Sequence, residues 1–416
     1  MRVLLCKPPF ARLLASDVYR VYPIGLMYVA AMLRERGHEV LVYHDDVSNS
    51  EPIARVPVAL RPLRLPECTD AELAPLDKVL DDFKPDVVGI SACTADFPSA
   101  LAVAKRVKAR GLRVVAGGIH PSLLPNDVIR DFDAVVVGEG EHEAAARAFE
   151  SSESGLVIEC PHIDDLDVRL PARDAVIGGE NYTTFLQGMI QTQRGCPYNC
   201  GFCATPQVFG RKVRRRDPAL VRAEVEHFGM HDGRVIDDSF GVHREHGLAV
   251  CRELGKTNYR WVCDVALQDI DDERIEAWLS GGCYRINVGI ESASPRWQEL
   301  AGKRVAHGRP EEVCRNVVNR GLGIVFYFML GFPGETYDEM MQTIAYGRRL
   351  KELGAALCIS IVTPYPKTKL WDLAQERLHK KGVDWSNFIH QSEDMGFGDC
   401  TPEQWHSILA EANEIG

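Results

Sequence analysis

Three cysteines stand close together in the segment Arg194-Gly195-Cys196-Pro197-Tyr198-Asn199-Cys200-Gly201-Phe202-Cys203. Thiolates are soft ligands, suited to zinc or to iron–sulfur clusters. A structural zinc site takes four protein ligands. The spacing C-x3-C-x2-C instead supplies a cubane cluster with one iron left open, and that iron can take a small chelating molecule. The glycines and Pro197 suit a loop wound tightly round a bulky group. The competing readings are a zinc knuckle completed by a distant fourth cysteine, and three unrelated thiols.

The elements that must position these thiols fall into two stretches of strand–helix alternation. Over residues 1–150 the apolar runs RVLLC (2–6), EVLVYH (39–44), DVVGIS (86–91), LRVVAG (112–117) and AVVVG (134–138) read as strands. Helical patterns separate them, as where Leu26, Val29, Ala30 and Leu33 form one stripe that Gly37 closes. Five strands with crossovers imply an α/β, doubly wound parallel sheet of Rossmann type, with helices on both faces. Residues 51–70 are Pro-rich and irregular, and 151–187 read as a linker. Over 188–365 the runs GMIQTQ, RVIDDSF, YRWVCDV, RINVGIE, IVFYFML and CISIVTP alternate with helical segments. They predict a second open sheet or a partial (β/α)6 barrel. The chemically interesting residues follow strands, where barrels place their active sites. Residues 366–416 form a short, partly helical C-terminal region.

The bulk composition bounds the partners. The 416 residues are 45% hydrophobic and 26% charged, ordinary for soluble domains. A formal net charge of −11 argues against nucleic acid, which needs a basic face. The opening MRVLLCKPPF is too short an apolar run for a signal peptide, and no run of about 18 apolar residues suggests a membrane span. Thirteen cysteines without an export signal suit a reducing, cytoplasmic setting. Most of those outside the cluster segment read as small buried hydrophobes.

With an aromatic, Phe202, just before its last cysteine, the cluster segment resembles that of the radical S-adenosylmethionine (SAM) superfamily. The resemblance extends through RGCPYNCGFCATPQVFGRKVRRRDP, IDDSF (236–240), NVGIESAS (287–294), FYFMLGFPGET (326–336) and SIVTPYPKTKLW (360–371). Upstream, PIGLMYVAAMLRERGHEV (23–40), GGIHPSLLP (117–125) and VVGEGE (136–141) resemble the cobalamin-binding-type domain of the same subfamily. The likeness runs over about residues 1–375.

It implies a cobalamin-binding-like Rossmann domain followed by a radical SAM partial barrel. The cofactors implied are a [4Fe–4S] cluster on Cys196, Cys200 and Cys203, SAM, and cobalamin. Phe202 would lie beside the SAM adenine. Asp237 or Asp238 would accept from the SAM ammonium. Glu291 and Ser292 would meet the ribose, and Gly331, Pro333 and Gly334 would let backbone approach the adenine. Gly118 and His120, past the fourth strand of the N-terminal sheet, would meet a ligand at its carboxyl edge. Loop packing, helix capping or chain reversal is the competing role for each. The first strand is not followed by GxGxxG, and no Asp-x-His-x-x-Gly supplies a lower histidine for cobalt. Most of the basic run Arg211, Lys212, Arg214, Arg215 and Arg216 reads as solvated, with one arginine left for an anion. His243 and His246 read as structural.

Two reactions fit the resemblance. One is cobalamin-dependent C-methylation of a small polar biosynthetic intermediate. The other is cobalamin-independent dehydration, deoxygenation or epimerisation of an amino sugar, as in radical SAM diol dehydratases of antibiotic biosynthesis. Either needs a reductant protein such as flavodoxin or ferredoxin. A non-catalytic metal module is the third reading, and the SAM motifs along the barrel oppose it. The carboxyl edges near Gly118 and Glu291 predict an N-terminal sheet seated over the barrel mouth.

Overall fold

The computed structural model describes every residue except 12, 15–20, 49–59, 61–63, 304, 307 and 390–395. The strands read over the first domain form as β1 (Arg2–Lys7), β2 (Glu39–His44), β3 (Val87–Ser91), β4 (Arg113–Gly117) and β5 (Ala134–Gly138). With β6 (Leu156–Cys160) they make a parallel sheet of order β2-β1-β3-β4-β5-β6. The runs are continuously apolar because helices cover both faces. Val3, Leu5, Val87 and Val115 pack toward the helix Ile24–Glu35. Leu4, Val88 and Val114 pack toward the helices Asp70–Phe83 and Phe97–Lys108. β6 lies in the stretch expected to be linker. Its Val157 and Glu159 are exposed, so this edge strand alternates instead of running apolar. The Pro-rich stretch 51–70 lies largely outside the described residues.

β7 (Gln193–Arg194) and β8 (Arg214–Arg215) form a short antiparallel ribbon. Beyond it come β9 (Asp232–Arg234), β10 (Arg260–Val265), β11 (Cys283–Glu291), β12 (Gly323–Leu330) and β13 (Ala356–Ile361). They form the parallel sheet β13-β12-β11-β10-β9, a partial barrel. The strand expected at GMIQTQ is reduced to a parallel bridge, Ile190 to Val235, that extends this sheet past β9. Alternate residues such as Trp261, Ile286, Val288, Phe326 and Phe328 enter the core under the outer helices. The inward residues Asp264 and Asn287 are polar and hydrogen-bonded at 3.0 Å. After the barrel, the helix Pro402–Ile415 packs on the helix Tyr337–Glu352, with Ile415 against Gly347. Among the described residues no helix is long and apolar enough to cross a membrane.

Candidate active site between the two domains

The ribbon is the neck of the loop that carries all three cysteines, since Arg194 and Arg214 are directly paired and residues 195–213 lie between them. Gly195 has φ +95°, and a Cβ there would come within 2.4 Å of the Lys212 carbonyl oxygen, so only glycine closes this neck. Inside the loop, the Cys196 N–H donates to Gly210 O at 3.3 Å and the Cys203 N–H to Cys200 O at 3.1 Å. The far side is tied to the barrel. The Gly201 N–H donates to Leu300 O at 3.1 Å, and the Leu370 N–H donates to Gly201 O at 2.9 Å. A Cβ at Gly201 would stand 2.4 Å from Leu300 O.

The three thiols are half-buried and unpaired. Burial pushes the Cys196 thiol up to about 11, and the neighbouring Asp238, Cys200 and Cys203 add to the rise. Burial also raises Cys200, against the pull of Lys303. Thiols that face one another in this way become thiolates when a metal supplies the compensating charge. Among the described residues no three His, Cys, Asp or Glu side chains close on the position of a single ion. A multi-iron cluster, in which each thiolate takes a different iron, matches the donor set.

Around the cluster loop lie the expected SAM residues. Asp237 is buried and used as a strut. It accepts from the backbone N–H groups of Thr192 at 2.7 Å and Gln193 at 3.1 Å, and burial raises its carboxyl to about 7. Asp238 reaches the loop itself, accepting from the Gly195 N–H at 2.9 Å. Glu291 ends β11 at φ +71°, in the left-handed region that side chains avoid. Its carboxylate is buried and lies 3.4 Å from Lys303 Nζ. A Cβ at Gly289 would stand 2.1 Å from Oε1 of that carboxylate, so a side chain there would push Glu291 from its place beside Lys303. Lys303 also feels Cys200 and Cys196, which with Glu291 hold its ammonium above the usual range despite burial.

Phe202 leans on the apolar cluster of Trp297, Met329, Phe332, Val362 and Leu370. The Phe332 and Trp297 rings stack 5.1 Å apart. The turn after β12 is held by a residue the sequence did not single out. Glu335 Oε2 accepts from the Gly331 and Phe332 N–H groups at 2.8 and 3.0 Å. Gly331 is sealed from behind, because a Cβ would meet Trp405 at 3.1 Å, while Pro333 and Gly334 are half-buried. Ser292 departs from expectation. It is fully buried, and its hydroxyl lies 3.3 Å from Thr343 Oγ1 and accepts from the Ser294 N–H at 3.1 Å. The chain turns into the helix Pro295–Leu300 at this point and takes the hydroxyl for its own scaffold.

The N-terminal sheet meets the cluster loop across a cavity of about 300 Å³. Gly117, Gly118, Glu139 and Glu141 wall it from the carboxyl ends of β4 and β5, and Arg194 and Asp238 wall it from the barrel. It runs down between the sheet and the helix Ile24–Glu35, where Leu5, Val115, Val136 and Phe149 make it apolar. A Cβ on Gly117 would meet nothing nearer than Val136 at 4.0 Å, so it would stand in the cavity itself. An apolar slot of this size would take the flat benzimidazole base that ends cobalamin's nucleotide tail, but not the whole cofactor.

Gly118 belongs to this wall, at φ +99° and with Ala92 O only 2.7 Å from an added Cβ. His120 does not. It is buried with its ring 4.1 Å from Phe97 and 4.9 Å from Trp385, outside the cavity lining. Burial pushes its pKa down to about 4. The short helix Ile119–Leu123 turns the imidazole away from the edge where the chain position had suggested it.

Part of the basic run is neither solvated nor offered to a ligand. Arg214 makes a two-pronged contact with Glu139, at 2.6 and 2.8 Å, and Arg216 contacts Glu224 at 2.5 Å and Asp167 at 2.7 Å. Arg194 adds contacts to Glu139 at 3.2 Å and Glu141 at 2.5 Å. Burial works against the charge on Glu139, yet Arg214 and Arg194 hold its carboxyl below the usual range. His246 is buried against Thr192 O at 3.3 Å, and His243 sits beside Arg215 at 2.8 Å.

A cysteine loop on a partial barrel, capped by a Rossmann-type sheet over a shared cavity, defines a radical SAM enzyme with a cobalamin-type domain. Residues 12–148 match the family described as the B12 binding domain, and residues 190–347 match the radical SAM superfamily. The chain belongs to the radical SAM superfamily, among the members that carry an N-terminal B12-binding domain. Its cofactor set is that of these two domains: the [4Fe–4S] cluster and SAM on one side, cobalamin on the other. An uncharacterised methyltransferase of Pyrococcus horikoshii is 28% identical over 99% of this chain and 91% of its own length. The bacteriochlorophyllide d C-12(1)-methyltransferase of Chlorobaculum tepidum is 25% identical over 75% of this chain and 70% of its own. Among solved structures, the radical SAM methyltransferase TsrM of Kitasatospora setae, with tryptophan and a SAM analogue bound, superposes with a TM-score of 0.72. It shares 18% identity over 100% of this chain and 89% of that one, a likeness of fold.

Proposed function

We propose that the protein is a cobalamin-dependent radical SAM C-methyltransferase acting on a small polar molecule of biosynthesis. The observation that carries this reading is the shared cavity, whose walls come from the carboxyl edge of the N-terminal sheet and from Arg194 and Asp238 beside the cluster loop. When bound, the cluster and SAM supply a 5′-deoxyadenosyl radical that takes hydrogen from carbon, and cobalamin supplies the methyl group. The chain's own residues would orient and shield these groups. Cys196, Cys200 and Cys203 would hold the cluster. Phe202 and the Gly331–Gly334 turn would frame the adenine, Glu291 the ribose, and Asp238 the ammonium of SAM. Gly117 would let the corrin ring approach the sheet edge, and Gly118 would wall it there.

The relatives named as methyltransferases support the reaction class. The acidic chain favours a cationic client such as an amino sugar through its field. A flavodoxin- or ferredoxin-type protein would deliver the electron. The test is anaerobic purification with hydroxocobalamin, cobalt analysis, and mass spectrometry of products from a panel of amino sugars and related metabolites. Methylation adds about 14 mass units. A cobalt-free chain whose product has lost water would replace this reading with the dehydratase one.

A further inference from the structure

Arg194 and Arg214 face each other across the ribbon that closes the cluster loop. Two like charges directly opposite on paired strands repel. Here both are buried, with side-chain exposures of 8% and 2%. A buried pair of guanidinium groups holds together only if a carboxylate stands between them. That carboxylate is Glu139, which follows β5 in the other domain and has 0% side-chain exposure. Its Oε1 and Oε2 accept from Arg214 at 2.6 and 2.8 Å, its Oε2 lies 3.2 Å from Arg194 Nη1, and it also accepts from the Ile163 N–H at 2.8 Å. Glu141, two residues on, takes the other side of Arg194. Gly138, just before, has φ +89° and Cys160 O 2.8 Å from an added Cβ, so the turn that aims Glu139 is fixed.

We propose that Glu139 is a positioning residue for the iron–sulfur cluster, supplied by the B12-binding domain to the neck of a loop in the radical SAM domain. The proposal rests on the reading of Cys196, Cys200 and Cys203 as cluster ligands. One carboxylate fixes the separation of Arg194 and Arg214, and that separation sets the path of the chain into Cys196, two residues beyond Arg194. Glu139, Glu141 and Arg194 also wall the cavity, so the same contacts border the space between the two domains. The cluster geometry is therefore built by both domains together.

The test uses the full chain, reconstituted anaerobically with iron and sulfide, as wild type, Glu139→Gln, Glu139→Asp and Glu224→Gln. Glu224 is an equally buried carboxylate that pairs with Arg216 and Arg173, outside the loop, and controls for general loss of stability. Iron content, the electron paramagnetic resonance of the reduced cluster with and without SAM, and release of 5′-deoxyadenosine are read for each. Partners outside a metal's own ligands typically change affinity or activity by about 10–100-fold. Glu139→Gln is expected to keep iron, to alter the SAM-induced change in the resonance, and to slow SAM cleavage by at least about tenfold, with Glu139→Asp restoring part of it. Glu224→Gln is expected to lower the melting temperature with a wild-type resonance. A Glu139→Gln protein with wild-type resonance and cleavage overturns the proposal, as does an equal disturbance in Glu224→Gln. If Glu139→Gln does not fold, Arg194→Lys, which keeps the charge but reaches fewer acceptors, is read in the same way. A wild-type chain that takes up no iron defeats the cluster reading itself, which the variants alone do not.

Discussion

The carboxylate of Asp238 holds the backbone N–H of Gly195 at 2.9 Å, one residue before the first cluster cysteine. The loop that follows β9 thereby fixes the entrance of the cluster loop, and the same side chain faces the shared cavity. Removing a hydrogen bond to a charged group costs about 1.5–3 kcal/mol. Asp238→Ala is therefore expected to lower stability by about that amount and to slow SAM cleavage by about 10–100-fold. Asp238→Asn, which keeps an acceptor, should lie between the two. Thermal melts and 5′-deoxyadenosine release check both, and wild-type cleavage by Asp238→Ala would remove Asp238 from the site.

The cluster ligands give the plainest outcome. The wild-type chain should carry about four irons after anaerobic reconstitution. The triple variant Cys196→Ala, Cys200→Ala, Cys203→Ala should carry almost none and release no 5′-deoxyadenosine with dithionite. Reductive cleavage by that variant would show that other groups hold the metal.

Much of the fold was legible because the signals are local. Apolar runs buried on both faces mark β1 to β5, and three thiols on one loop announce their own chemistry. What escaped depends on direction or on distant partners. The sequence places His120 and Gly118 together, but the helix that starts at Ile119 sends the imidazole toward Phe97 and Trp385. Ser292 stands beside Glu291, yet its hydroxyl turns into the scaffold of the next helix. Glu139 and Lys303 carry no local signal, since their partners lie in other elements, whereas Glu335 binds within its own turn, at the Gly331 and Phe332 N–H groups, which no side-chain pattern announces. The basic run looks mostly solvated in the sequence because the carboxylates that bury Arg214 and Arg216 include Glu139 and Asp167, far upstream.

The contrast between Gly117 and His120 separates cavity wall from core. Gly117→Leu puts a side chain into open cavity space, with no neighbour within 4 Å of its Cβ except Val136 at 4.0 Å. It is expected to reduce the cobalt retained after desalting by at least about tenfold while iron content stays at the wild-type value. His120→Ala should do the reverse: cobalt retained as in wild type, and stability lowered by about 1–3 kcal/mol through lost packing. Cobalt and iron analysis on the same samples decides. Cobalt lost in His120→Ala at an unchanged melting temperature would return His120 to the ligand site.

Glu335 predicts a pH dependence opposite to that of an ordinary carboxylate. Burial raises its carboxyl to about 8, more than the two backbone N–H groups that favour the ionised form can offset. The folded chain therefore keeps this proton between about pH 4.5 and 8, while the unfolded chain releases it. Where the folded state binds more protons, stability falls as pH rises. The contribution is fully present below about pH 4.5 and is lost progressively up to about pH 8, amounting to a few kcal/mol. Glu335→Gln keeps a carbonyl oxygen for the Gly331 and Phe332 N–H groups and has no proton to lose. Denaturant melts at about pH 5.5, 7 and 8.5 should show wild-type stability declining across the series and the variant declining less, with the difference between them growing with pH. Because the same turn carries Phe332 onto Trp297, near-ultraviolet circular dichroism of the stacked pair, followed through each melt, should give midpoints that fall with the wild-type stability. Parallel pH profiles for the two proteins would mean that Glu335 is ionised in the folded chain across the whole range.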